Sequence, residues 1–385
     1  MKKAILILCS IIPSFLLLIN LSCSSPKESR MLANQIKETT RRVANRQIDN
    51  FTYQKQGNLH DYGIDAWTNG VLYAGMLQWT STIDKPEVYR NWLMDIGNEN
   101  GWLVPANFAN HPKYSYYHAD ELCIGQFYLG MFDVYKRDEM KLSIQQRADW
   151  IMANPGDSSM IYRNKQTWSW CDALFMAPPV YAHLARITGN KDYLEHMHRD
   201  FLNTYTHLYD QENNLFFRDD SYFNKREENG EKIFWGRGNG WVLAGLARVM
   251  EQLQTDSQIK PFYEKLFVQL SKRLGELQGE DGFWHASLLD PQSYPSPETS
   301  ATALICYGLA YGVNHKLLDK TTYLPIIWKA WNALTTAVDE NGRLGWVQPI
   351  GADPKKVTRE MTAVYGVGAF LMAGAEMLEL LNNLK

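Results

Sequence analysis

Twelve helix-like segments alternate along this chain, an amphipathic one followed by one rich in small and aromatic residues, and that alternation constrains the fold most. The first members are expected at 29–49, 86–98, 141–153, 192–207, 260–277 and 322–338, where charges recur on one helical face. The second members are expected at 66–78, 119–135, 172–188, 240–253, 299–313 and 362–381. Their Ala, Gly, Leu, Met and aromatics suit helices buried on most sides, with small residues permitting close approach. Short links such as 81–85, 188–191 and 254–257 carry turn and capping residues, whereas long links at 99–118, 208–234 and 279–297 precede second members. Six such helical hairpins predict an all-α chain closed into an (α/α)6 barrel. Inner helices then run parallel, and their positive N-termini and the long loops gather at one end, where an anion is favoured. An open solenoid also repeats hairpins. Unequal loops and the lack of a repeat consensus favour closure.

The chain begins Met1-Lys2-Lys3, continues with an apolar stretch over 4–19, and reaches Asn20-Leu21-Ser22-Cys23-Ser24-Ser25, the pattern of a secretion signal. Cys23 after a small residue resembles the lipobox of bacterial lipoproteins, with Asn20 as its imperfect position. Lipidation of Cys23 would tether a soluble body by its N-terminus, and plain secretion to the periplasm is the alternative. The expected division is a signal over 1–23, a short tether over 24–30 and a single barrel domain over 31–385. Membrane contact is expected through the anchor alone, since no later apolar run is long enough to span a bilayer. A formal charge of -3 with no basic stripe argues against nucleic acid. Cys123, Cys171 and Cys306 are odd in number and widely spaced, so neither a disulfide framework nor a thiolate metal site is expected. His196 and His198, two apart, fall on different helix sides and are expected to be solvated.

Residues that carry chemistry cluster where inner helices start. In Trp168-Ser169-Trp170-Cys171-Asp172-Ala173-Leu174-Phe175-Met176 a carboxyl sits among indoles at the start of an apolar helix. Desolvation there raises the pKa of Asp172, as a proton donor near neutral pH requires, while the helix N-terminus pulls the other way. Plain helix capping is the alternative. Trp67, His118 with Asp120, Trp235 to Trp241, Glu298 and Arg359-Glu360 occupy the other starts. Arg237 is the expected anion receptor, its planar fork suited to a carboxylate and its neighbouring glycines leaving room for ligand; a buried structural ion pair is the alternative. Trp170 and Trp241 either face a sugar ring or belong to the core.

His118-Ala119-Asp120-Glu121-Leu122-Cys123-Ile124-Gly125-Gln126, Trp170-Cys171-Asp172-Ala173-Leu174-Phe175-Met176 and Trp235-Gly236-Arg237-Gly238-Asn239-Gly240-Trp241 resemble the unsaturated rhamnogalacturonyl hydrolases, glycoside hydrolase family 105. The unsaturated glucuronyl hydrolases of family 88 are cousins. The resemblance covers nearly the whole mature chain. It implies an (α/α)6 barrel, no cofactor, and removal of a Δ4,5-unsaturated uronic acid from the non-reducing end of pectin-derived fragments made by a lyase. Asp172 matches the family's catalytic acid and Asp120 its second essential carboxylate; Trp170, Arg237 and Trp241 match substrate-contacting positions, with His118 and Trp67 as further candidate contacts. The implied reaction is vinyl-ether hydration, in which Asp172 protonates C4 and its carboxylate then helps water attack C5. Arg218 departs from the pattern, since many relatives carry His there. It suits a further substrate carboxylate, or pairs with Asp219 or Asp220. A conventional exo-hydrolase of saturated uronosides and a non-catalytic surface glycan-binding lipoprotein are the remaining alternatives.

Overall fold

The computed structural model describes residues 26–52, 63–105, 116–162, 164, 166–255 and 257–383. The signal segment and Cys23 lie outside the described residues. Helix α1 is Pro26–Asp49, so residues 26–30, expected as tether, already form its first turns. The chain continues through α2 (Trp67–Thr80), α3 (Glu87–Glu99), α4 (Ala119–Leu122), α5 (Ile124–Tyr135), α6 (Glu139–Ala153), α7 (Ala173–Met176), α8 (Pro178–Thr188) and α9 (Asp192–Leu208). A hairpin of β1 (Tyr209–Asp210) and β2 (Leu215–Phe216) pairs Tyr209 with Phe216. Then follow α10 (Gly236–Met250), α11 (Lys260–Glu276), α12 (Thr299–Asn314), α13 (Lys320–Thr336) and α14 (Val364–Asn383).

The inner helices pack in sequence, α2 on α5, α5 on α8, α8 on α10, α10 on α12, α12 on α14, and α14 back on α2. The ring is closed, an (α/α)6 barrel rather than a solenoid. Each of α3, α6, α9, α11 and α13 lies outside the inner helix it adjoins in sequence, and α1 packs on α14. The amphipathic segments are therefore the outer wall, and the small-residue segments the core, as their composition demands.

Four details differ from the sequence expectation. The second and third inner helices are interrupted, at Cys123 and at Ala177. Pro178 explains the second break, because it supplies no N–H to continue the ladder. Helix α10 starts at Gly236, four residues early, held by Asn239, whose side chain bonds Phe216 N at 2.8 Å and Phe216 O at 3.1 Å. Helix α14 is long and apolar enough to cross a membrane, contrary to the sequence expectation, but most of it is buried inside the barrel. His196 and His198 are half-buried against Tyr181 and Tyr263 rather than solvated.

The barrel end opposite the inner-helix N-termini is tied by polar side chains. Arg248 donates to Gln126 and to Gln78 Oε1, and Gln78 Nε2 donates to Glu376 Oε1 at 3.0 Å. Asn314 Nδ2 donates to Glu376 Oε2 at 2.8 Å. Burial, the largest influence, drives Glu376 up to about 8, and the nearby Glu251 adds to it.

Candidate active site

Asp172 occupies the residue before α7, yet its side chain does not cap that helix. It is 7% exposed, and its sequence neighbours Trp168, Trp170 and Phe175 are themselves buried. Desolvation raises it to about 6 against the pull of Arg218 and then Arg237, while Asp120 pushes it further up. Such a carboxyl can donate a proton and still serve as a base after losing it.

Arg218 stands beside it because the chain after β2 is pinned to the acid's neighbour: Cys171 N donates to Arg218 O at 2.8 Å. Arg218 Nε lies 3.5 Å from Asp172 Oδ2, and Arg218 Nη1 donates to Asp219 Oδ2 at 2.7 Å. The guanidinium lies over the Tyr162 ring, 4.7 Å from its centroid. Of the two expected partners Asp219 is taken. Asp220 instead accepts Tyr162 N at 3.3 Å and lies 3.8 Å from His207 Nε2.

Asp120 begins α4, and His118 caps that helix by accepting Asp120 N at 3.3 Å. His118 Nδ1 is 3.8 Å from Asp120 Oδ2, and the His118 ring packs on Trp170 with centroids 4.8 Å apart. The second and third inner-helix starts thereby meet through the His118 and Trp170 rings. Next to Asp120, buried Glu121 is driven up to about 8, first by desolvation, with Arg147 opposing.

Arg237 corrects its expectation. It is 1% exposed, donating through Nη1 to Gln348 O and to Tyr365 Oη at 3.1 Å, and through Nη2 to Pro349 O at 2.9 Å. Neither a free fork nor an ion pair, it fastens the loop before α14 to the start of α10. It acts on Asp172 as a fixed charge. The adjacent glycines serve packing, since a Cβ on Gly236 would lie 2.4 Å from His285 O and one on Gly238 2.9 Å from Cys171 Sγ. Trp241, also 1% exposed, is core, with its ring centroid 4.7 Å from that of Phe175. Trp170 is nearly sealed at 3%, while Trp67 is half-buried and stacks on Tyr365 at 5.2 Å.

Tyr162, Tyr365 and Gln348 escaped the sequence reading. Gln348 Oε1 accepts Trp235 Nε1 at 3.2 Å and its carbonyl accepts Arg237, but Gln348 lies well before the helix start marked by Arg359-Glu360 and nothing local singles it out. Tyr162 lies in a loop with nothing local to mark it. Glu298 proves to be a cap: fully buried, it accepts Ser300 N, Ala301 N and Gln348 N. A cleft of about 930 Å³, lined by Asn213, Glu231, Arg273, Gln278 and His285 among others, opens between the loops that precede α10 and α12. It includes neither Asp172 nor Asp120, and its Arg273 and His285 are committed to Asn213 O and Ser296 O. That cleft is therefore separate from the buried Asp172 carboxyl. Among the described residues no group of three His, Cys, Asp or Glu is placed to hold a metal ion.

Residues 39–381 match the family described as Glycosyl Hydrolase Family 88. An Unsaturated 3S-rhamnoglycuronyl hydrolase of Formosa agariphila is 37% identical over 330 residues, covering 82% of this chain and 84% of the relative. A solved structure of glycosyl hydrolase family 88 from Bacteroides vulgatus aligns with a TM-score of 0.80 at 30% identity, over 90% of this chain and 99% of its own. Another, called a Polysaccharide Lyase, aligns with a TM-score of 0.81 at 30% identity, over 91% of this chain and 98% of its own.

Proposed function

The chain belongs to glycosyl hydrolase family 88, and from that premise we propose that it removes a Δ4,5-unsaturated uronic acid, joined to rhamnose, from the non-reducing end of lyase-generated oligosaccharides. The rhamnose and the uronate are the sugars in the relative's name; they fit the family's chemistry and the anion-favouring helix ends. The observation that carries the reading is Asp172, raised by desolvation to about 6 against the pull of Arg218 and Arg237. In its neutral form Asp172 gives its proton to C4 of the vinyl ether, and positive charge is shared between C5 and the ring oxygen. The resulting carboxylate takes a proton from water as that water adds to C5. Net, one water crosses the double bond, and the hemiketal opens to release the remaining oligosaccharide. Asp120 orients water or a sugar hydroxyl and keeps Asp172 protonated by its charge. No cofactor is needed for these steps.

Incubation with lyase-generated disaccharides tests the reading through the near-ultraviolet absorbance of the conjugated alkene, which hydration removes. Undiminished absorbance would sink it. The likeness to a polysaccharide lyase favours one second reading, β-elimination, and the same assay separates the two. A lyase acting on saturated polymer would raise the absorbance instead. We further propose export, with attachment to a membrane through lipidated Cys23, supported by the sequence pattern around it. Detergent-phase partitioning lost in Cys23→Ala is the corresponding check.

A further inference from the structure

Among the described residues one cation, Arg218, stands in ion-pair contact with the Asp172 carboxyl, and it is built not to move. Arg218 is held at three points: its carbonyl accepts Cys171 N, its Nη1 donates to Asp219, and its plane lies over Tyr162. Asp219 is itself fully buried and fixed, because its Oδ1 accepts Ser221 N at 2.9 Å. A further donor, Arg218 Nε, is buried without a hydrogen-bond partner and stands 3.5 Å from Asp172 Oδ2. A buried N–H left unpaired is costly unless some state of the molecule uses it. The state that uses it best is ionised Asp172, since a carboxylate attracts a guanidinium N–H far more strongly than a neutral carboxyl does.

We propose that Arg218 is a positioning residue that receives the Asp172 carboxylate as its proton leaves, with Asp219 setting how strongly it does so. This deepens the hydrolase reading above and rests on it. As Asp172 transfers its proton to C4, its C–O bonds become equivalent and the new negative charge settles on the oxygens facing Nε. When water adds at C5 and returns a proton, the contact loosens again. Asp219 keeps the device graded. By neutralising part of the Arg218 charge it prevents the arginine from ionising Asp172 before substrate arrives. Around the acid, Asp120 from α4 opposes ionisation, Arg237 from α10 favours it, and the Cys171 thiol lies 3.9 Å away. The assignment moves Arg218 from sugar binding to the acid itself.

Opposite charge changes must then move the acid in opposite directions, which a purely structural role would not do. The experiment compares Arg218→Gln, Arg218→Lys and Asp219→Asn in two ways: the pH dependence of kcat and KM on the unsaturated disaccharide, and the carboxyl titration followed by 13C NMR of aspartate-labelled protein, with Asp172→Asn assigning the signal. Arg218→Gln should shift the Asp172 titration upward by roughly one to three pH units and lower kcat, with KM changed less than about threefold. Asp219→Asn should shift it downward, and Arg218→Lys should return it toward the parent value. Shifts of the same sign, no shift, or a raised KM at an unmoved titration would overturn the proposal. Absence of turnover by the parent protein would remove the hydrolase reading alone, because the NMR titration still decides the Arg218–Asp172 coupling.

Discussion

Gly75 of α2 and Gly368 of α14 are in backbone contact, so close that a Cβ on Gly75 would lie 2.2 Å from the Gly368 carbonyl oxygen. A Cβ on Gly368 would in turn lie 2.4 Å from Val71 O. Because these are the first and last inner helices, the two glycines form the seam that closes the barrel. The neighbouring atoms are backbone and cannot swing aside.

Gly75→Ala should therefore lower stability by about 1–3 kcal/mol, the usual cost of overpacking, despite the higher helix propensity of alanine. Urea unfolding checks this. A midpoint at or above the parent value would show that the seam is not tight.

Asp172→Asn should abolish turnover while leaving ligand binding largely intact, since the amide keeps the shape of the side chain but cannot donate the proton. Titration calorimetry with the unsaturated disaccharide, run beside the absorbance assay, separates the two effects. Activity comparable with the parent would remove Asp172 from the chemistry.

The pH dependence has a definite sign. Asp172 is raised to about 6, so the proton-donating form is present below that value and is lost as pH rises through it. With Asp172 as the acid, kcat/KM should fall on the alkaline side of about 6. A profile rising through this range would contradict the assignment.

Arg237→Ala should act on stability before it acts on binding. The substitution strips the buried Gln348 carbonyl, the Pro349 carbonyl and the Tyr365 hydroxyl of a charged donor, at a cost of about 3 kcal/mol. Thermal unfolding checks this, and an unchanged melting temperature with a raised KM would restore the sugar-binding role.

Glu376 makes stability pH-dependent at the far end of the barrel. Its folded value of about 8 exceeds the ordinary glutamate value, so the native state holds the proton more tightly than the unfolded chain. Its contribution is fully present below about 4.5 and is lost as pH rises through about 8. The melting temperature should decline between pH 6 and 9 more steeply in the parent than in Glu376→Gln. Equal slopes would deny Glu376 this role.

The sequence reading reached furthest where one segment carried the whole signal: the pairing of helices and the buried setting of Asp172 among indoles were both legible locally. It failed where function depends on a distant partner. Arg237 and its glycines read as a ligand cradle, but the carbonyls that occupy Arg237 belong to residues 348 and 349, more than a hundred positions away. Arg218 was visible as an oddity, yet whether it served sugar, Asp219 or Asp220 depended on where the chain after β2 turns. Tyr162 and Gln348 carried no local mark at all.

Periodicity and composition alone determined that the chain forms paired helices, which of each pair faces inward, and that the Asp172 carboxyl is desolvated, because these follow from residues near in sequence. Only the tertiary structure decided that the ring closes at Gly75 and Gly368, that Arg237 is spent on a loop, and that Arg218 stands against the acid. Those outcomes depend on backbone approach and hydrogen-bond competition between segments far apart in the chain, and no local pattern encodes the winner.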